Sequence, residues 1–376
     1  MDNNKSTPIK GKRLESLDAL RGFDMLFIMG GSSQLVALAA LFPESSFWQF
    51  VEQQMHHVKW EGLAHHDTIF PLFLFIAGIS FPFSLDKQRL NGRTSQQIYW
   101  KIIKRGLILV LLGLIYNNML KFEFATLRFP SVLARIGLGW MFGALIYCQV
   151  KSWKARLITI MAILVGYWLI MALIPAPDAP AGVGVFSKEG SIACYLDRII
   201  LGAHAYRPEY DPEGIFSTVP AIGTALMGMT AGDWVKREDI SGNKKVLGLA
   251  LAGIILAALG WIWNFAFPIN KALWSSSFAC AVAGYSFLMF ALFYYIIDVK
   301  GWRKWAKFFV VIGLNSITIY LAQRFIPLWD TQHRIFDGFI NLFPDSLHQL
   351  MVEITYIATC WGLLYFLYRH RIFLKV

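Results

Sequence analysis

A histidine-rich stretch contains the residue types best suited to proton-transfer chemistry. His56, His57, His65 and His66 form two adjacent pairs, and Asp67 follows them directly. Imidazole exchanges a proton near neutral pH, and a neighbouring carboxylate can orient the ring. The stretch therefore predicts a general base or nucleophile. A solvated polar loop in which Asp67 only caps a helix explains the same residues, whereas zinc binding is disfavoured because the pairs lack i, i+4 spacing and thiolate ligands.

Ionisable residues also occur where the chain is otherwise apolar. Asp18, Arg21 and Asp24 recur at a spacing that places them on one helical face, where Asp18 and Arg21 can pair. A structural clamp near the membrane surface is our preferred interpretation of that pair. Arg135 lies one turn into another apolar run, where an arginine is expected to face the bundle interior and to bind an anion or an acid.

Two Asn-containing pairs add uncharged polar groups to apolar runs. These are Asn117-Asn118 and Asn315-Ser316. Hydrogen bonds between helices explain them as well as ligand binding does, because both uses satisfy an amide inside the membrane.

The elements that position these residues are predicted to be transmembrane helices. Of the 376 residues, 56% are hydrophobic and 16% are charged, whereas a soluble domain carries about 25% charged residues. The net charge of +11 would suggest nucleic-acid binding in a soluble protein, but here the position of the charges matters more than their sum. The four cysteines have no metal-ligand spacing and are interpreted as small buried side chains.

The hydrophobic runs predict an all-α integral membrane protein, a polytopic bundle of about ten transmembrane helices. A helix needs about 20 apolar residues to cross the hydrocarbon core. The predicted spans lie at 20–42, 68–86, 103–121, 131–150, 155–175, 216–235, 246–267, 274–297, 308–326 and 348–368.

The distribution of Lys and Arg predicts the orientation. Alternate connections, together with both ends of the chain, contain 24 of the 35 Lys and Arg residues, and the opposite set contains nine. Because basic residues concentrate on the cytoplasmic side, we predict that both termini are cytoplasmic. Residues 1–17 then form a cytoplasmic tail and 18–376 a single transmembrane domain, with longer non-cytoplasmic loops at 43–67 and 176–215.

Eight short motifs resemble a known family, heparan-alpha-glucosaminide N-acetyltransferase and its bacterial relatives among the transmembrane acyltransferases. They occur in the family's order from about residue 13 onward. They are RLESLDALRGFDM (13–25), HVKWEGLAHHDTIFPLFLFIAG (57–78), RFPSVLARIG (128–137), YLDRIILG (195–202), YDPEGIFST (210–218), PINKALWSSSF (268–278), IIDVKGW (296–302) and LNSITIY (314–320).

The resemblance implies transfer of an acetyl group from cytoplasmic acetyl-CoA to a glucosamine-type amine on the far side of the membrane. The family's active-site histidine corresponds to His57, ahead of Trp60 in H-x-x-W-x-G-L. The residues themselves offer Asp67 as the group that orients it. His57 would act as a base or carry the acetyl group itself. Ser32 or Ser33 falls where the family has an asparagine. This departure leaves the acceptor open.

Further substrate and cofactor contacts are expected within the shared motifs, and Lys/Arg around 101–105 and 236–245 are available for the phosphates of CoA. The expected binding residues are Trp60, Asp18, Arg21, Ser32, Arg128, Arg135, Asp211, Glu213, Asn270, Lys271, Trp274, Asn315 and Ser316.

Two other functions fit the same sequence. A secondary transporter for amino sugars would suit about ten spans with polar residues, although no internal repeat is evident. An acyltransferase for another surface glycan also remains open. The expected partners are acetyl-CoA, an amino-sugar or glycan acceptor and membrane lipid, with a homodimer left open and neither metal nor nucleic acid expected. The expected location is the cell inner membrane, as a multi-pass protein.

Overall fold

The computed structural model describes residues 14–374, and its regular elements are helices. In chain order they are α1 (Glu15–Leu26), α2 (Ser32–Ala39), α3 (Ser46–Gln54), α4 (His65–Leu90), α5 (Ser95–Tyr116), α6 (Val132–Gln149), α7 (Trp153–Leu173), α8 (Ile192–Leu201), α9 (Thr218–Lys236), α10 (Gly242–Trp263), α11 (Ser276–Phe293), α12 (Ala306–Leu314), α13 (Ser316–Phe325), α14 (Leu328–Ile340) and α15 (Asp345–Arg369). The predicted tail comprises residues 1–17, and residues 1–13 of it lie outside the described residues.

The protein is a polytopic, all-α membrane bundle, as predicted. A helix or helix pair lies at each of the ten predicted spans. Within residues 14–374, however, only seven are long and apolar enough to cross a membrane, or eight if the bent pair α12–α13 is one span. The prediction of about ten is therefore not supported for α5 and α9. Helix α5 contains several basic residues in its first half. Helix α9 is rich in Gly, Ala and Thr, which lowers its apolar character.

The two long loops contain more helix than the sequence predicted. Residues 43–67 include the short helix α3, and α4 begins at His65, so His65, His66 and Asp67 form its first turn. The prediction of a loop through residue 67 is corrected here. The reason is that Asp67 caps its own helix and thereby allows α4 to start three residues earlier. The second loop, 176–215, contains α8.

Helices α4 and α11 form the centre of the bundle, whereas α7, α10 and α15 expose most of their apolar surface. Lipid can cover such surface, because hydrocarbon tails solvate it. Helices α4 and α9 are in close backbone contact at two glycines: a Cβ at Gly78 would lie 2.4 Å from the carbonyl oxygen of Ala225, and one at Gly228 would lie 2.2 Å from that of Phe75. Small residues at such crossings allow transmembrane helices to pack directly.

Two spans are interrupted near polar residues. A π-helical segment, Phe27–Gly31, joins α1 to α2, and Gly30 within it has a φ of 123° that favours glycine. Helices α12 and α13 meet at Asn315 with a bend of 66°. Interruptions of this kind occur at the ligand sites of some membrane proteins.

Candidate active site

Asp67 lies at the centre of the candidate site because it joins a loop to a helix. Its Oδ2 accepts the backbone N–H groups of Ala64, at 3.2 Å, and Val58, at 3.3 Å. The carboxylate is almost fully buried and lies at the N-terminus of α4, where the helix dipole favours a negative charge. The loop that contains His57 is thereby fixed against the start of α4.

The second carboxylate oxygen of Asp67 binds the two neighbouring side chains. His57 Nδ1 lies 2.8 Å from Asp67 Oδ1, and Lys271 Nζ lies 3.3 Å from the same oxygen. Lys271 Nζ is also 3.0 Å from His57 Nδ1 and 3.4 Å from His57 Nε2. If His57 Nδ1 donates to the carboxylate, Nε2 is left as a proton acceptor. The structure thus brings the two predicted catalytic residues together with Lys271.

Lys271 is held in place by a tight turn. The Asn270 side-chain oxygen accepts the N–H of Leu273 at 3.0 Å, and the backbone N–H of Asn270 donates to Ser275 Oγ at 3.0 Å. Trp274 is buried, has a φ of 47°, and donates its indole N–H to Thr224. Asn270 and Trp274 therefore shape the turn. Burial lowers the pKa of Lys271, and the nearby charge of Asp67 opposes that shift.

A second imidazole lies beside the first. The His66 ring centroid is 4.4 Å from that of His57, and His66 Nδ1 is 3.0 Å from Ser32 Oγ. Ser32 begins α2 directly after the π-helical segment, which places its hydroxyl beside the start of α4. Ser32 therefore contacts the pair formed by His57 and His66, which we call the histidine cluster.

Trp60, which lies in the same loop as His57, packs among aromatic and cationic side chains of the second long loop. Trp60 donates its indole N–H to the carbonyl of Phe186 and packs edge-on against Tyr210. Lys188 Nζ lies 5.4 Å from the Trp60 ring and 5.5 Å from the Tyr210 ring. Sequence reasoning identified Trp60 but not Lys188. Tyr210 is the first residue of the YDPEG motif, which marked that loop but did not single out the tyrosine.

The arginine-rich motif of residues 128–137 binds another part of the protein. Arg128 forms ion pairs with Asp211 and Glu213, and Arg135 donates to Ser217 and to the carbonyl of Gly214. Burial alone would lower the pKa of Arg128, but its bonds to the two carboxylates raise it. These four predicted binding residues thus fasten the loop of residues 211–217 to α6. Two side-chain nitrogens of Arg135, Nε and Nη1, have no hydrogen-bond partner among the described residues.

A cavity of about 420 Å³ lies within the bundle. Asp18, Arg21 and Ser316 line it, whereas Asn315 donates its side-chain N–H to the carbonyl of Ile372. The other lining residues are Met25, Ile28, Phe70, Phe73, Ala77, Arg105, Leu109, Val132, Leu133, Ile136, Gly313, Leu314, Ile317, Tyr320, Phe373 and Leu374. This set includes Arg105, within the basic group predicted to be available for phosphates.

The cavity extends toward the histidine cluster. Ile28 lies one helical turn before Ser32, and Phe70 lies one turn after His66, a rise of about 5 to 6 Å. A long ligand in this cavity could therefore bring its end close to the histidines. Within residues 14–374, no group of three or more His, Cys, Asp or Glu side chains could hold a metal ion.

Comparison with known proteins agrees with the motifs. Residues 13–177 match a family described as a domain of unknown function, DUF5009. Over 97% of the chain, the sequence is 28% identical to heparan-alpha-glucosaminide N-acetyltransferase of Homo sapiens and 27% identical to that of Mus musculus. The chain spans about 60% of the length of these curated relatives. The predicted resemblance is confirmed as homology.

Proposed function

Because the chain is homologous to heparan-alpha-glucosaminide N-acetyltransferase over 97% of its length, we propose that it is a transmembrane acetyltransferase. The donor is acetyl-CoA from the cytoplasm, and the acceptor is the amine of a glucosamine-type sugar on the far side. The protein would lie in the cell inner membrane. The observation that carries this proposal is the hydrogen bond between His57 and the buried Asp67, beside a cavity that enters the bundle.

The proposed reaction uses His57 Nε2 as a base. Transfer of the acetyl group requires an unprotonated amine, a bond from its nitrogen to the thioester carbonyl carbon, and cleavage of the carbon–sulfur bond. His57 takes the proton that the attacking nitrogen loses, and the thiolate leaves and is protonated to the thiol. Asp67 stabilises the imidazolium that forms, because the carboxylate is already hydrogen bonded to Nδ1.

A two-step route uses the same residues. His57 Nε2 first bonds to the thioester carbonyl carbon, and the carbon–sulfur bond breaks, so the thiolate leaves and takes up a proton. The sugar amine then bonds to the same carbon, the bond to Nε2 breaks, and the released imidazole accepts the proton that the amine nitrogen loses. In both routes the carbonyl oxygen gains negative charge. Lys271 lies within 3.4 Å of both imidazole nitrogens and provides a cation for that charge.

The surroundings of His57 suit a sugar acceptor. Trp60 follows His57 by three residues and packs edge-on against Tyr210, and aromatic faces suit the C–H faces of a sugar ring. The His57 side chain is 54% exposed, so an acceptor can approach from the loop side. The donor would approach from the cavity, on the side of Ser32 and His66.

The direct test is acetyl transfer by purified protein in vesicles. Labelled acetyl-CoA and glucosamine are supplied, with N-acetylglucosamine as the matched control because it lacks the free amine. We expect label on glucosamine and none on the control. Uptake of unmodified glucosamine, without transfer of label, would contradict the proposal and favour a secondary transporter. Transfer only to another glycan would contradict the proposed acceptor.

A further inference from the structure

The break between α12 and α13 opens directly onto the cavity. Gly313 and Leu314, at the end of α12, and Ser316 and Ile317, at the start of α13, all line it. Gly313 packs against α1 so closely that a Cβ there would lie 1.9 Å from the carbonyl oxygen of Asp18. The ten-residue helix α13 therefore begins inside the bundle, at the level of Asp18 and Gly22.

The start of α13 offers hydrogen-bond donors to the cavity. No side chain caps its N-terminus, and the N-terminal end of a helix has partial positive charge. Ser316 is 7% exposed, lines the cavity, and makes no side-chain hydrogen bond within residues 14–374. A hydroxyl that lines the cavity in this way can donate to a ligand there.

Two arginines add positive charge to the same cavity. Arg105 has no ion pair or hydrogen bond to any described residue. Its guanidinium lies 4.3 Å from the Trp140 ring, and its Nε is buried without a partner. Arg21 binds Asp18 and Ser80, each at 3.4 Å, so Asp18 neutralises part of its charge. The lining ionic residues are thus two arginines and one aspartate.

We propose that Arg105, Arg21, Ser316 and the N-terminus of α13 form an anion site inside the bundle that binds the diphosphate of an elongated donor. This inference rests on the proposed function for the identity of the donor. A diphosphate matches the site because guanidinium groups and helix N-termini both bind phosphate oxygens. In broken membrane helices, half-helix N-termini similarly bind anionic groups.

The rest of the cavity suits the uncharged arm of such a donor. Beyond the arginines the lining is mostly apolar, with Met25, Ile28, Phe70, Phe73 and Ile136. A thin, neutral chain can occupy this part without leaving a charge unpaired. With the diphosphate held beside Arg105, the free end of the arm points toward Ser32 and His66.

Binding of inorganic pyrophosphate to the purified protein tests the site without acetyl transfer. We expect Arg105→Gln to raise the Kd for pyrophosphate and for CoA by about 10- to 100-fold, because a charged hydrogen-bond donor is lost. Arg105→Lys should retain part of the affinity, and Ser316→Ala should raise the Kd less than Arg105→Gln does. Arg93→Gln is the matched control, because it removes an exposed guanidinium from the connection before α5, and Arg93 does not line the cavity. Its Kd should equal that of the wild type.

The outcomes separate this inference from the proposed function. Pyrophosphate binding that depends on Arg105, without any acetyl transfer, would support the anion site and contradict the proposed function. If the wild type transfers acetyl groups but binds pyrophosphate no more tightly than Arg105→Gln does, the anion site alone is overturned. Equal losses of affinity in Arg105→Gln and Arg93→Gln would also overturn it, because the effect would then follow net charge.

Discussion

His57 differs from its neighbour His56 in its partners. Its ring is bound to the buried Asp67 and lies beside Lys271 and His66, whereas His56 is exposed. A positioned imidazole can exchange a proton with a bound amine, but a freely rotating one is seldom aligned for the transfer. The two adjacent residues therefore offer a comparison within one loop.

We predict that His57→Ala lowers the rate of acetyl transfer by roughly 10²–10⁴-fold, the usual range for losing a positioned general base. The Tm should stay near that of the wild type, because more than half of the His57 side chain is exposed. His56→Ala should retain most activity. The measurement is the initial rate of label transfer, and equal rates for wild type and His57→Ala would refute a catalytic role.

At the scale of elements, α4 connects the site to the rest of the bundle. Its first turn contains His65, His66 and Asp67, and its middle packs against α9 through Gly78 and Gly228. A shift of α4 relative to α9 would move Asp67 relative to Lys271. The glycine crossing therefore affects both stability and the geometry of the site.

We predict that Gly228→Ala destabilises the protein, because the added Cβ would lie 2.2 Å from the backbone carbonyl of Phe75. Overpacking of this kind typically costs about 1–3 kcal/mol. Gly166→Ala in α7 is the control, since no atom lies within 4 Å of its added Cβ. Thermal unfolding in detergent should show a lower Tm for Gly228→Ala only. A similar decrease in both variants would contradict the packing argument.

The loop of residues 211–217 is held by Asp197 as well as by the arginines. Asp197 Oδ1 accepts the N–H of Ile215 at 2.9 Å, and Oδ2 accepts that of Asp211 at 3.4 Å. Burial raises the pKa of Asp197 to about 6, from an ordinary value of 3.8, although these hydrogen bonds oppose the shift. Between these two pH values the folded protein binds more protons at Asp197 than the unfolded chain does.

The contribution of protonated Asp197 to the free energy of unfolding should therefore decrease as pH rises from about 4 to about 6. We predict that the Tm of wild type falls relative to that of Asp197→Asn over this window, because Asn does not titrate. Thermal unfolding of both proteins at several pH values measures the difference. A wild-type Tm that stays constant or rises relative to that of Asp197→Asn over this window would contradict the raised pKa of Asp197.

At the scale of the whole molecule, the candidate site and the basic connections lie at opposite ends of the bundle. Helix α4 begins at the histidine cluster and ends, 26 residues later, near Lys87 and Arg89, a rise of about 39 Å. That length exceeds the hydrocarbon thickness of about 30 Å. The predicted orientation places the histidines on the non-cytoplasmic side.

Cysteine labelling of intact cells tests that orientation. We predict that Glu44→Cys and Arg207→Cys react with a membrane-impermeant maleimide, because both positions are exposed at the histidine end. Asn91→Cys should react only after permeabilisation. Cys148 is replaced by Ala in every variant, because it is partly exposed and the other three native cysteines are buried. The reverse labelling pattern would invert the topology.

The sequence was sufficient to predict a polytopic helical membrane protein. The reason is that long apolar runs must satisfy their backbone groups within each segment, so a local pattern determines the element. The homology was likewise evident from short contiguous motifs such as H-x-x-W-x-G-L. The number of spans was less predictable, because α5 contains basic residues and α9 is only weakly apolar.

The partners of the polar residues depended on tertiary packing. Arg128, Arg135 and Lys271 all lie in motifs that are equally distinct in the sequence. In the structure Arg128 contacts Asp211 and Glu213, and Arg135 contacts Ser217. Of the three, only Lys271 contacts His57. No local pattern separates these cases, because each contact joins segments distant in sequence. The same reason applies to the cavity, which exists only where α1, α4, α5, α6, α12 and α13 pack around it.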